Sequence, residues 1–131
     1  MNNSRADQSR RQQTILCVDD EPLVLTSWAE LIASAGYRVL TARGGAEAIR
    51  QFSAQTVHAV VLDYEMPGMN GGTVAAHIRQ IDSDVPIILH LGGSALASEE
   101  LALFNRYVSK GEKLSAMLAA IEGALTSRAD G

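Results

Sequence analysis

Four side chains carry the chemistry this sequence can offer, and each stands where an apolar run stops. Asp19 and Asp20 follow Ile15-Leu16-Cys17-Val18, Asp63 follows Ala59-Val60-Val61-Leu62, and Lys110 follows Tyr107-Val108-Ser109. On its own Asp63 reads as a turn aspartate. The Met66-Pro67-Gly68 that comes next can reverse the chain, and such turns favour Asp for local hydrogen bonds alone. Brought together, three carboxylates in a partly dry cleft repel one another, and a proton or a cation must relieve them. Oxygen ligands without His or Cys suit a hard ion, and two or three protein ligands plus waters suit Mg²⁺ better than the fuller cage of Ca²⁺. Mn²⁺ is the expected surrogate. A calcium loop is excluded at Asp19-Asp20-Glu21, because Pro22 and an apolar helix follow directly. An ion at this place would draw a phosphoryl oxygen toward Asp63, and Lys110 could hold another; positioning and charge neutralisation are most of what phosphoryl transfer asks of a protein. A carboxylate can itself be the nucleophile and form an aspartyl phosphate.

Convergence of these four residues requires an architecture that sets strand ends side by side. Order begins at Thr14 with a strand over Ile15 to Val18, and Pro22 then suits the first turn of a helix. That helix carries Val24, Trp28, Leu31, Ile32 and Ala35 as an apolar stripe and stops at Gly36. Tyr37 to Ala42 is a second strand, and a helix opened by Gly44-Gly45 turns Ala48, Ile49 and Phe52 inward. Val57 to Leu62 is short, β-branched and nearly uninterrupted, as strands buried on both faces are. A helix from Gly71 to Ile81 presents Val74, Ile78 and Ile81, and Val85 to Leu91 is the fourth strand, with Pro86 confined to its start. Ser98 is the expected N-cap of a short helix ending near Phe104. Arg106 to Ser109 is a brief fifth strand, and a last helix, from Glu112 to Thr126, carries Leu114, Met117, Leu118, Ile121 and Leu125. Five βα units in alternation predict an α/β fold, a doubly wound parallel sheet covered on both faces. Ligands of such sheets bind outside the carboxyl ends of the strands. Asp19, Asp20, Asp63, Leu91 and Lys110 stand at those ends.

Composition bounds the remainder. The 131 residues suffice for one domain, expected over 14–126 between a disordered tail or linker (1–13) and a frayed end (127–131). A net charge of −4 with no traceable basic face argues against direct nucleic-acid binding. No run approaches membrane-spanning length, the first 13 residues lack the apolar core of a signal peptide, and the lone Cys17 lies in an apolar run, so a cytoplasmic location is expected. His58, His77 and His90 lack metal-ligand spacing; His90 adjoins the predicted cleft, where it could modulate hydrolysis, but it reads first as a strand residue satisfied locally.

The strand-Asp19-Asp20-Glu21-Pro22 opening, the Asp63-Tyr64-Glu65-Met66-Pro67-Gly68-Met69-Asn70-Gly71 segment and the Tyr107-Val108-Ser109-Lys110 stretch together resemble the receiver domain of two-component response regulators. The likeness runs from about Thr14 to Thr126 and implies a flavodoxin-like (βα)5 sheet of strand order 2-1-3-4-5. It implies that Asp63 takes a phosphoryl group from a sensor histidine kinase or phosphotransfer protein. By the same resemblance Asp20, Asp63 and the backbone carbonyl of Glu65 ligate Mg²⁺, Asp19 acts through water, and Lys110 pairs with the phosphoryl group. Tyr107 matches the aromatic position whose rotation reports activation. Signalling would proceed by contacts with a downstream protein or within a homodimer. The domain would promote its own phosphorylation and dephosphorylation without turning over an external substrate.

The resemblance breaks on one side. Leu91 stands where the family carries Thr or Ser, and leucine cannot donate to a phosphoryl oxygen. Losing one charge-assisted bond of roughly 1.5–3 kcal/mol weakens the switch, since a ligand shifts an equilibrium only by its differential interaction with the two states. Ser94 could substitute if the strand is bulged or the Gly92-Gly93 loop folds back. Gly111 replaces the family's proline after the lysine, and fewer residues than usual separate strands four and five. These departures motivate the alternative of a receiver-like binding module indifferent to phosphorylation. A hydrolase acting on external phosphate esters would need a substrate pocket and a second acid/base, and the sequence displays neither.

Overall fold

A computed structural model describes residues 10, 12–93 and 95–130, the last three as backbone. In chain order the elements are β1 (Thr14–Val18), α1 (Pro22–Ser34), β2 (Arg38–Ala42), α2 (Gly45–Ala54), β3 (Ala59–Asp63), α3 (Gly71–Ile81), β4 (Ile87–Leu91), α4 (Ser98–Leu101), β5 (Arg106–Ser109) and α5 (Leu114–Asp130). The five strands form one parallel sheet, as the alternating pattern predicts, in the order β2-β1-β3-β4-β5 that the family resemblance implies. Strand period two divides the core between the faces. Leu16, Val18, Val60, Leu62, Ile87 and Leu89 meet Ala48 and Phe52 of α2 and Val74, Ala75 and Ile78 of α3. Ile15, Cys17, Ala59, Val61, Ile88 and Val108 face Leu25, Trp28 and Ile32 of α1 and Met117, Ile121 and Leu125 of α5. Each fully buried aliphatic side chain of these sets contributes roughly 1.5–3 kcal/mol.

Several element ends differ from the sequence reading. Ile81 closes α3 half exposed, and Ala75 takes the inward place, because the buried face drifts through Val74, Ala75 and Ile78. Leu114 likewise splays outward at the first turn of α5, and Leu25 is buried in α1 where Val24 was expected. The helix at Ser98 is a single turn. Ala97 occupies its N-cap position without a side-chain bond, so Ser98 does not cap it. Past Leu101 the chain tightens, with the N–H groups of Leu103 and Phe104 donating to the carbonyls of Glu100 (3.0 Å) and Leu101 (3.2 Å), and this turns Phe104 into the core. Gly36 follows α1 at φ +107°, a left-handed position where its N–H donates to the Ala33 carbonyl.

Three clips hold the frame. Asn105 extends the sheet: its N–H donates to the Ile87 carbonyl (2.9 Å) and its Oδ1 accepts the Ile87 N–H (2.8 Å). Arg79 of α3 donates to the carbonyls of Leu103 and Val85 and to Asn105 Oδ1, tying α3 to the segment around the short α4. At the other edge Arg10 ion-pairs with Glu122 of α5 at 2.7 Å, donates to the Ala35 carbonyl and lies over the Tyr37 ring.

Candidate functional site

Asp63 is the last residue of β3, flanked by β1 and β4, and is 1% exposed. The turn after it is made by its sequence. Gly68 takes φ +80°, Asn70 caps α3 by accepting the Thr73 N–H at 3.0 Å, and the Gly71 N–H donates to the Tyr64 carbonyl. A Cβ on Gly71 would lie 2.7 Å from the Asp63 carbonyl oxygen and 2.8 Å from Tyr64 Cα, so only glycine lets α3 start this close beneath the strand end. Asp19 leaves β1 at the same edge and is 2% exposed. Its Oδ1 accepts the Glu21 N–H at 2.9 Å, an Asx turn that aims the carboxylate before α1 begins. Asp20 is half-buried beside it.

Lys110 reaches this edge from the loop after β5. Its Nζ lies 2.8 Å from Asp63 Oδ1 and 2.9 Å from Glu65 Oε1. That loop is stiffened locally: the Ser109 N–H donates to Glu112 Oε2 at 2.6 Å and the Glu112 N–H donates back to the Ser109 carbonyl. The sequence reading assigned Glu65 only through its backbone carbonyl. The structure adds its side chain as a second partner of Lys110.

Electrostatics follow from crowding. Burial pushes Asp19 from 3.8 up to about 6; the Glu21 N–H pulls the other way, and Asp63 and Asp20 add repulsion. Asp63 is also raised, by burial first, against the pull of Lys110. Burial works to lower Lys110, but its hydrogen bonds to Asp63 and Glu65 outweigh that and hold it above the ordinary lysine range. The pocket is thus short of positive charge. Enclosed carboxylates pushed toward protonation, offering oxygen donors at one edge, fit a hard divalent cation.

The structure brings Asp19, Asp20, Asp63 and Lys110 to one edge and treats the expected switch residues differently. Leu91 does close β4, opposite Ser109 of β5, and packs on the core formed with α2 and α3. Tyr107 is half exposed; its ring tilts against Phe104 and its hydroxyl donates to the Leu101 carbonyl at 2.5 Å. Ser94 lies outside the described residues. His90 is the residue the sequence reading undervalued. It pairs in register with Asp63 and meets the Trp28 ring edge-on at 5.0 Å, and its Nδ1 is enclosed without a hydrogen-bond partner among the described residues. Local satisfaction, expected from the sequence, is therefore corrected. The signal was its place one residue before the strand end, where alternation sends it to the face opposite Leu91.

Comparison with known proteins bears on this arrangement. The family model described as "Response regulator receiver domain" matches residues 15–122. The transcriptional regulatory protein PrrA of Mycobacterium tuberculosis is 32% identical over 117 residues, covering 87% of this chain and 50% of the relative. GlrR of Escherichia coli is 33% identical over 125 residues, 92% of this chain and 28% of the relative. The chain thus spans about half the length of the first relative and less than a third of the second. Among solved structures, the response regulator TrrA of Thermotoga maritima in complex with Mg(2+)-BeF is 31% identical, with a TM-score of 0.78 over 86% of this chain and 98% of that one. No helix among the described residues is long and apolar enough to cross a membrane. With a strand order, an acidic edge and a sequence match that agree, the chain belongs to the receiver domain family of two-component response regulators.

Proposed function

We propose that Asp63 is the phosphoryl acceptor of this domain, supplied by a sensor histidine kinase or a phosphotransfer protein. The observation that carries this reading is the Lys110 ammonium 2.8 Å from the Asp63 carboxylate at the edge shared with Asp19. A carboxylate oxygen of Asp63 attacks phosphorus as the bond to the donor's imidazole nitrogen breaks, and an acyl phosphate results. Lys110 steadies the transferred group, exchanging its contact with the carboxylate for one with a phosphoryl oxygen. Glu65 keeps a second hold on the ammonium meanwhile. Asp20, Asp63 and the Glu65 carbonyl would hold Mg²⁺, with Asp19 acting through water and Mn²⁺ as a surrogate; the ion supplies charge neutralisation. TrrA, a relative of known structure, is described in complex with Mg(2+)-BeF. The test is incubation with a small phosphodonor and Mg²⁺ followed by intact mass. We expect a gain of one phosphoryl group that vanishes in Asp63→Ala; no gain in the wild type overturns the reading.

A second reading concerns output. Leu91 offers no donor and packs half-buried against the core, while the Tyr107 hydroxyl is already engaged by Leu101. Both observations favour an atypical switch, in which contacts with a downstream protein, or within a homodimer, depend only weakly on phosphorylation. Such a module would bind its partner equally well as wild type and as Asp63→Ala. A tenfold gap between them, about 1.4 kcal/mol, rules this second reading out.

A further inference from the structure

The imidazole of His90 has no place in that account, yet it stands beside Asp63. The two residues are register partners on β3 and β4, so their side chains leave the same face of the sheet next to each other. Asp19 reaches the same point from β1, on the other side of β3. Each of the three offers one ligand atom, and these atoms all lie within 4.8 Å of one another. Asp19 and Asp63 are almost completely enclosed, and the Nδ1 of His90 is enclosed without a hydrogen-bond partner among the described residues. A buried ring nitrogen in that condition is unusual, because such groups nearly always find a donor, an acceptor or an ion.

The surroundings suit an ion better than a proton partner. Trp28 and the imidazole pack T-shaped at 76°, which fixes the imidazole plane by packing and supplies no hydrogen-bond partner to its Nδ1. A cavity of about 340 Å³ opens between α1 and the loop after β5, and His90 and Lys110 both line it, so solvent ions have a route to the ring. Ligands bound at about 2.0–2.2 Å to one ion lie roughly 3–4 Å apart, and small side-chain rotations bring the three atoms to that spacing.

We propose that His90 adds a nitrogen donor to the Asp19–Asp63 pocket, so that it raises the affinity of this Mg²⁺ pocket for a borderline, imidazole-accepting divalent ion such as Zn²⁺ relative to Mg²⁺. The inference rests on the reading of that pocket as a cation site. All-oxygen sites suit Mg²⁺, which sheds its waters reluctantly, whereas an imidazole favours the later first-row ions. Because any mixed site binds Zn²⁺ more tightly than Mg²⁺, the diagnostic quantity is how much of the preference depends on His90.

The experiment is calorimetric titration of the ion-stripped full chain with MgCl₂ and, separately, ZnCl₂, for the wild type, His90→Val and Asp63→Asn. His90→Phe replaces His90→Val should the latter fail to fold by circular dichroism. We expect the ratio of the Mg²⁺ to the Zn²⁺ dissociation constant to fall at least tenfold when His90 is replaced. If it falls less while Mg²⁺ binding disappears in Asp63→Asn, the cation pocket stands and the assignment of His90 is overturned. If Mg²⁺ binding survives Asp63→Asn, the pocket reading fails and takes this proposal with it.

Discussion

Freed of divalent ions, the protein should gain stability as the pH falls, and Asp19 sets the size of the gain. Asp19 is 2% exposed, and burial together with repulsion from Asp63 and Asp20 lifts its carboxyl from 3.8 to about 6. A group that holds its proton more tightly folded than unfolded stabilises the fold fully below its unfolded value, and that contribution is lost as the pH rises through its folded value. A rise of about two units at about 1.4 kcal/mol each is about 3 kcal/mol, absent at pH 7.5 and roughly half recovered at pH 5. Asp19→Asn removes the charge while its amide oxygen can still accept the Glu21 N–H. In chelator at pH 7.5 the variant should therefore be more stable than the wild type by up to about 3 kcal/mol, a shift of about 1–2 M in urea midpoint. The advantage should shrink by about half at pH 5, and saturating Mg²⁺ should shrink it at pH 7.5 by stabilising the wild type more than the variant. Urea unfolding followed by circular dichroism reads all three. An Asn variant no more stable than the wild type at pH 7.5, or an advantage that does not shrink at pH 5, refutes the claim that enclosure strains this carboxylate.

Three other perturbations probe separate parts of the frame. Gly71→Ala places a methyl against the Asp63 carbonyl and Tyr64 Cα and should cost about 1–3 kcal/mol in the same urea assay, because backbone cannot move aside as a flexible side chain would. Asn105→Ala strands the Ile87 N–H inside the sheet and removes one partner of Arg79, for a loss of about 1–3 kcal/mol. Leu91→Thr restores a hydroxyl at the end of β4. Beryllium fluoride with Mg²⁺ should then slow amide exchange in the loop that follows, while the wild-type loop changes little; equal slowing in both would show that Leu91 does not weaken the switch.

What the sequence revealed was governed by local physics. β-Branched runs ending on Asp19, Asp63 and Lys110 announce strand ends, and right-handed crossovers bring such ends to one edge, so the acidic pocket could be placed before any coordinates. Helix faces were less secure at their ends. Ile81 and Leu114 keep the helical spacing, yet each is a terminal residue of its helix, and both are exposed. The pairing of His90 with Asp63 was invisible because parallel register is set by the crossovers, and no local pattern records it. The second hold of Glu65 on Lys110 was hidden for a similar reason, since a side chain two residues beyond the strand can turn to either side of the cleft. Arg10 belongs to a polar run with no period, and its contacts with Glu122, Tyr37 and Ala35 arise only once α1 and α5 are packed.

Trp28 has an optical consequence. It is the chain's one tryptophan, it is 2% exposed, and it touches the side chain next to Asp63 in the sheet. Its intrinsic emission therefore samples a single corner of the molecule, with no second indole to average against. Binding at the acidic edge and global unfolding can be followed with one unlabelled chromophore, the first as a change within the folded signal and the second as its collapse toward that of a solvated ring.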